Sequence, residues 1–219
     1  MKLPNRKPSM PRLRLAALAA VLALPPALAS AAGDALTPAE IALLNAPQAL
    51  PDVAEGRADA PATIVEYGSL TCSHCAAFHR DVWPKLKAEY VDTGKAKFVF
   101  REFPLDPLST AAFMLARCAG PDKRDAVIDR LFDQQADWAF AANALYKLKV
   151  EVMAGGMSEA DFDACLKDQK LLDAVTAVRD KAHEALGVSS TPTFFVAGKR
   201  LAGEQGLDKF DAILAPAAK

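Results

Sequence analysis

The chain has 219 residues, 52% of them hydrophobic and 24% charged, with a formal charge of −1 at pH 7. That length and balance support one good-sized domain with a substantial core. Five of the 26 basic residues (Lys2, Arg6, Lys7, Arg12 and Arg14) and none of the 27 acids precede residue 32, so the remainder is acidic, which argues against nucleic-acid binding.

Those five basic residues open what reads as a signal peptide. Leu15 to Leu24 is an unbroken apolar run of ten residues, too short for a comfortable membrane span and ended by Pro25-Pro26. Ala27-Leu28-Ala29 and Ala29-Ser30-Ala31 both fit an A-x-A-like cleavage site. No cysteine sits there to take a lipid anchor. Residues 1–31 are therefore expected to be removed on export. No later apolar segment is long enough to cross a bilayer.

Residues 32–57 read as a lead-in. Thr37-Pro38-Ala39-Glu40 has an N-cap threonine, a first-turn proline and a glutamate placed for a capping box, so a short helix runs to about Asn45. Pro47, Pro51 and the stretch Gly56 to Pro61 read as irregular chain. Residues 58–106 then carry a β-rich unit. Ala62 to Tyr67 is strand-like. Residues 72–90 form a helix with apolar Ala76, Phe78, Val82, Leu86 and Tyr90 near helical spacing, kinked at Pro84. Lys97 to Phe103 is an alternating aromatic strand ended by Pro104 and Pro107. Strand, helix, strand at this spacing predicts a βαβ unit with parallel strands.

Residues 107–186 contain no convincing strand and read as successive helices. Ser158-Glu159-Ala160-Asp161 resembles a capping box. Leu171, Leu172, Val175, Val178 and Ala182 form a helical stripe, with Gly187 at the C-terminal cap position. Residues 187–219 supply a hairpin, Thr193 to Val196 and Arg200 to Ala202 about an Ala197-Gly198-Lys199 turn, and a final helix over 206–215. The sum is β-α-β, a helical block, then β-β-α.

The chemistry is concentrated in Cys72-Ser73-His74-Cys75, at the junction of a strand and a helix. The first sulfur lies at the helix N-terminus, where unpaired N–H groups and the helix dipole favour a thiolate. The second lies about one turn along, within reach. Such a pair holds a disulfide, or a thiolate beside a thiol, and switches between them. The same spacing is also half of a zinc site, and His79 follows Cys75 at helical spacing, so Cys72, Cys75 and His79 could clip a metal. The second knuckle that zinc requires is missing, so no metal and no other cofactor is assigned. Covalent haem is excluded because Ala76 rather than histidine follows Cys75. Four cysteines in an exported chain allow three pairings. Adjacent Cys72 and Cys75 belong together, which leaves Cys118 and Cys165 as a structural disulfide or as two buried free thiols.

βαβ followed by ββα, a C-x-x-C on the first helix and a proline before the third strand resemble the thioredoxin fold. The run Glu66-Tyr67-Gly68-Ser69-Leu70-Thr71-Cys72-Ser73-His74-Cys75, the helical insertion, Thr191-Pro192 and the export signal together resemble the DsbA family of bacterial thiol-disulfide oxidoreductases, over roughly residues 52–215. The fold implied is an α/β thioredoxin fold with a helical domain inserted between its halves. The resemblance extends to the branch with a second disulfide in that domain, here Cys118–Cys165. It implies that Cys72 is the exposed nucleophile, Cys75 the buried resolving thiol, and His74 a stabiliser of the Cys72 thiolate. Thr191 and a cis Pro192 would form the substrate-side wall. Glu66 would be the buried acid that exchanges a proton with Cys75. The lesser alternatives are that Glu66 is an edge-strand surface acid and, without the resemblance, that Pro192 is an ordinary trans loop proline. Ser73 departs from the family pattern, in which proline precedes the histidine. His79 and His183 read as surface or groove residues.

The function implied is a periplasmic oxidase that passes the Cys72–Cys75 disulfide to reduced, unfolded exported proteins and is reoxidised by a membrane quinone-linked partner of the DsbB type. A disulfide isomerase or reductase of the same fold is the nearest alternative, and a thiol-dependent metal carrier an alternative of another class. The short lead-in favours a monomer.

Overall fold

The computed structural model describes Met1 and residues 34–217; the expected signal peptide, residues 1–31, falls almost wholly outside them. Among the described residues, six strands form one sheet: β1 (Asp34–Ala35), β2 (Ala54–Glu55), β3 (Ala62–Gly68), β4 (Ala96–Glu102), β5 (Thr193–Val196) and β6 (Lys199–Ala202), in the spatial order β1-β6-β5-β3-β4-β2. β3 pairs in parallel with β4, Glu66 opposite Phe100, and antiparallel with β5, Glu66 opposite Phe194. Ile64, Val65 and Tyr67 of β3 are all buried, as befits a β-branched and aromatic strand covered on both faces.

The helices are α1 (Pro38–Asn45), α2 (Ser73–Asp81), α3 (Trp83–Leu86), α4 (Pro107–Cys118), α5 (Pro121–Asp133), α6 (Gln135–Trp138), α7 (Ala144–Ala154), α8 (Glu159–Cys165), α9 (Gln169–Leu186) and α10 (Leu207–Ala217). α1 carries the expected capping box between Thr37 and Glu40. α9 is capped by Asp168, which accepts from Leu171 N–H, and ends at Gly187, whose φ of 63° is the left-handed conformation that glycine adopts most cheaply.

Two local expectations differ from the structure. The segment 72–90 is not one kinked helix: α2 stops at Asp81, Val82 sits at φ −113°, and the chain continues as α3 and a π-helical turn, Lys87–Val91. Pro84 has no N–H to give the preceding turn, so the helix restarts with the proline in its first turn. The lead-in is not wholly irregular either. Its residues form β1, paired with β6, and β2, paired with β4.

The helical block is tied to the sheet by buried charge. Glu102, at the end of β4, accepts from Arg117 of α4 at 2.8 Å and from Arg124 of α5 at 2.8 Å, and Arg124 also donates to Phe100 O at 2.7 Å. Burial pushes the Glu102 carboxyl up, but the two guanidinium groups overcome this and hold it below its ordinary value. Within the block, a disulfide joins Cys118 at the end of α4 to Cys165 at the end of α8, with S–S 2.06 Å.

Candidate active site

β3 delivers the chain to the site, and a hydrogen-bonded loop then presents Cys72. Gly68 closes the strand where a Cβ would meet Phe100 at 2.6 Å and Glu66 Oε1 at 3.0 Å, so only glycine fits. Ser69 is fully buried, 2.9 Å from the Ser109 hydroxyl, which also accepts from Leu70 N–H at 3.1 Å. Thr71 donates to Asp106, the N-cap of α4, whose other oxygen accepts from Ser109 N–H at 2.8 Å. Buried Gln135 of α6 donates through Nε2 to Leu70 O at 2.8 Å and to Cys72 O at 3.0 Å. The helical block thus grips the active-site loop by its backbone.

Cys72 is the N-cap of α2 and is half-buried; Cys75, in the first turn, is fully buried. Both are free thiols. The Cys72 thiol is held down to about 5. The largest cause is a hydrogen bond from Cys75; against partial burial, the Thr191 side chain and the backbone N–H groups of Cys75 and His74 add to it. Cys75 is pushed well up by burial, by donating to the Cys72 thiolate and by the charge of Glu66. One sulfur is therefore anionic at neutral pH and its neighbour is a thiol.

The Thr191–Pro192 peptide bond is cis, and Thr191 O lies 3.4 Å from the Cys72 sulfur. His74 is exposed, and its imidazole turns to Glu204 at 2.8 Å. That hydrogen bond, and then the Cys72 charge, raise the His74 pKa. The ring thus feels the Cys72 charge, while the His74 backbone N–H makes the smallest of the contributions that hold the thiolate down.

Glu66 is fully buried on the central strand, not at a surface. Burial raises its pKa, offset in part by His79. His79 is the misplaced residue of the sequence reading: it is buried rather than at the surface or in a groove, with Nε2 3.0 Å from Glu66 Oε2. Its position four residues after inward-facing Cys75 was the available signal, since i and i+4 share a helix face. His183 is at the surface, hydrogen-bonded to Val188 O. Gln135, Asp106 and Ser109 belong to no motif, and the sequence offered no sign of them. Among the described residues, no group of three or more His, Cys, Asp or Glu is arranged to hold a metal ion.

Residues 48–215 match the family described as Thioredoxin. A putative protein-disulfide oxidoreductase of Rickettsia bellii is 34% identical over 149 residues, 67% of this chain and 57% of that protein. The structure is similar to that of alpha-DsbA1 from Wolbachia pipientis, with TM-score 0.74 and 29% identity over 82% of this chain and 96% of that one. The chain belongs to the thioredoxin family, among its DsbA-like members. A protein-disulfide isomerase of Novosphingobium aromaticivorans is also similar, with TM-score 0.67 and 26% identity, over 78% of this chain and 100% of that one. The chain spans little more than half the length of the rickettsial relatives it matches. No described helix of this DsbA-like protein is long and apolar enough to cross a membrane.

Proposed function

We propose that this protein is an exported oxidase that passes the Cys72–Cys75 disulfide to reduced, unfolded proteins in the periplasm. The observation that carries this reading is the contrast between the two thiols: half-buried Cys72 is held to about 5 while Cys75 is fully buried and pushed up. Stabilising the Cys72 thiolate stabilises the reduced form, and so makes the disulfide a stronger oxidant. A client thiolate attacks Cys72 Sγ, and Cys75 leaves as a thiolate and takes up a proton. A second client thiolate attacks the client sulfur of the mixed disulfide and releases Cys72 as a thiolate. The client leaves with a disulfide and the enzyme with both electrons. Cis Pro192, which has no N–H, and Thr191 form the wall against which the client strand lies. Reoxidation falls to a membrane quinone-linked partner of the DsbB type, and residues 1–31 serve as the export signal.

The deciding experiment equilibrates the Cys72–Cys75 pair against glutathione and follows disulfide formation in a reduced, denatured client. An oxidising pair that oxidises the client is expected. A reducing pair that instead reduces insulin or reshuffles scrambled ribonuclease would move the assignment to a reductase or isomerase. No exchange, with copper or zinc retained stoichiometrically, would move it to a metal carrier.

A further inference from the structure

Cys75 and Glu66 both lie at zero exposure, yet the exchange proposed above adds a proton at Cys75 in one direction and removes it in the other. That proton needs a way through the core. Behind Glu66 stands His79, Nε2 at 3.0 Å from Glu66 Oε2 and Nδ1 at 3.9 Å from Asp129 Oδ1 on α5. Glu66 Oε1 and His79 Nδ1 are both buried without a hydrogen-bond partner, an expensive arrangement for a group with no use. The imidazole is walled by aromatic rings, stacked on Phe132 at 4.3 Å and edge-on to Phe100 at 5.6 Å. The Asp129 side chain is 54% exposed, so it reaches bulk water.

We propose that His79 and Asp129 form the proton route between the buried Cys75–Glu66 pair and solvent, separate from the opening at Cys72. The inference rests on the exchange chemistry proposed above. When the disulfide is attacked, the Cys75 thiolate takes the proton of the Glu66 carboxyl. The carboxylate is refilled from Nε2–H of His79 as Nδ1 takes a proton from the Asp129 carboxyl, which re-equilibrates with water. Reoxidation runs the same transfers backwards. The 3.9 Å gap closes on rotation of the exposed carboxylate. His79 and Asp129 act through Glu66 and are positioning residues for its proton. The charged groups around them are Glu66 from β3, Asp125 and Asp133 beside Asp129 on α5, Lys87 from the π-helical turn and Glu55 from β2. Burial raises the carboxyl pKa of Asp129, as it does that of Glu66.

The test uses the full oxidised protein and its H79Q, D129N and D129E variants. Stopped-flow reduction by dithiothreitol is followed across pH in ordinary and heavy water, with rates expressed per dithiothreitol thiolate. Proton transfer by a positioned side chain is worth about a hundredfold or more in rate. H79Q and D129N are each expected to lose that factor and the solvent isotope effect, D129E to retain both, and D129N to leave the glutathione equilibrium of the wild type unchanged. A wild-type rate and pH profile in either H79Q or D129N overturns the route. Should H79Q not fold, D129N, altered at the surface, decides alone. Absence of any exchange in the wild type removes the exchange chemistry itself, and the route with it.

Discussion

The Cys72 pKa depends first on the hydrogen bond from Cys75, so Cys75→Ala tests the site at its largest cause. A hydrogen bond to a charged group contributes about 1.5–3 kcal/mol. The Cys72 sulfur is half open to water, which screens the interaction and points to the lower end of that range, or about 1 pKa unit. Cys72 is therefore expected to rise from about 5 to roughly 6 in C75A. Cys75→Ser, which keeps an O–H donor at the same place, should stay nearer the wild-type value. Ultraviolet thiolate absorbance against pH reads each value directly, since neither variant can form the active-site disulfide. A C75A titration that coincides with that of the reduced wild type would show that the helix N-terminus and Thr191 hold the thiolate without the second sulfur, and would refute this ordering of causes.

Two further expectations concern stability. An unperturbed thiol titrates near about 8.5, whereas Cys72 of the reduced protein titrates at about 5. The depressed folded value stabilises the reduced fold fully above about 8.5, and this contribution is lost as pH falls to about 5. At pH 7 the nominal gain is about 2.7 kcal/mol, reduced by solvent screening of a half-exposed sulfur to about 1–2 kcal/mol, or roughly 20–40 mV of added oxidising power. Urea melts of reduced and oxidised protein should diverge between pH 5 and 8; parallel curves would contradict the linkage. Separately, Gln135→Leu removes the donor to Leu70 O and Cys72 O and should cost about 1–3 kcal/mol, because it leaves buried acceptors unpaired. A urea midpoint within error of the wild type would mean that water replaces the amide.

The parts of the molecule legible in its sequence were those encoded locally. β3 and β4 carry buried β-branched and aromatic side chains in runs of seven residues, long enough for a strand pattern to register. The thiol pair announces itself by spacing, and Thr191–Pro192 by its place before β5. The outer strands β1 and β2 have two residues each, too few to show any period, and their partners lie far along the chain, as with Asp34 opposite Arg200. The break after Asp81 is not decided by the sequence, because Pro84 is equally compatible with a continuous kinked helix. The grip of Gln135, Asp106 and Ser109 on the active-site loop left no trace, because each bond joins residues brought together only by the packing of the helical block on the sheet. Glu66 and His79 fell between these cases: both positions were visible, but their contact across two elements was not.

β1 and β2 come from one stretch of lead-in, and they occupy opposite flanks of the sheet. A single strap therefore leaves a strand of only two residues at each edge, which offers a foreign extended chain little backbone to pair with. For a protein that meets sticky, half-made polypeptides, such short edges would favour an encounter at the sulfur and its proline wall over knitting of the client into its host.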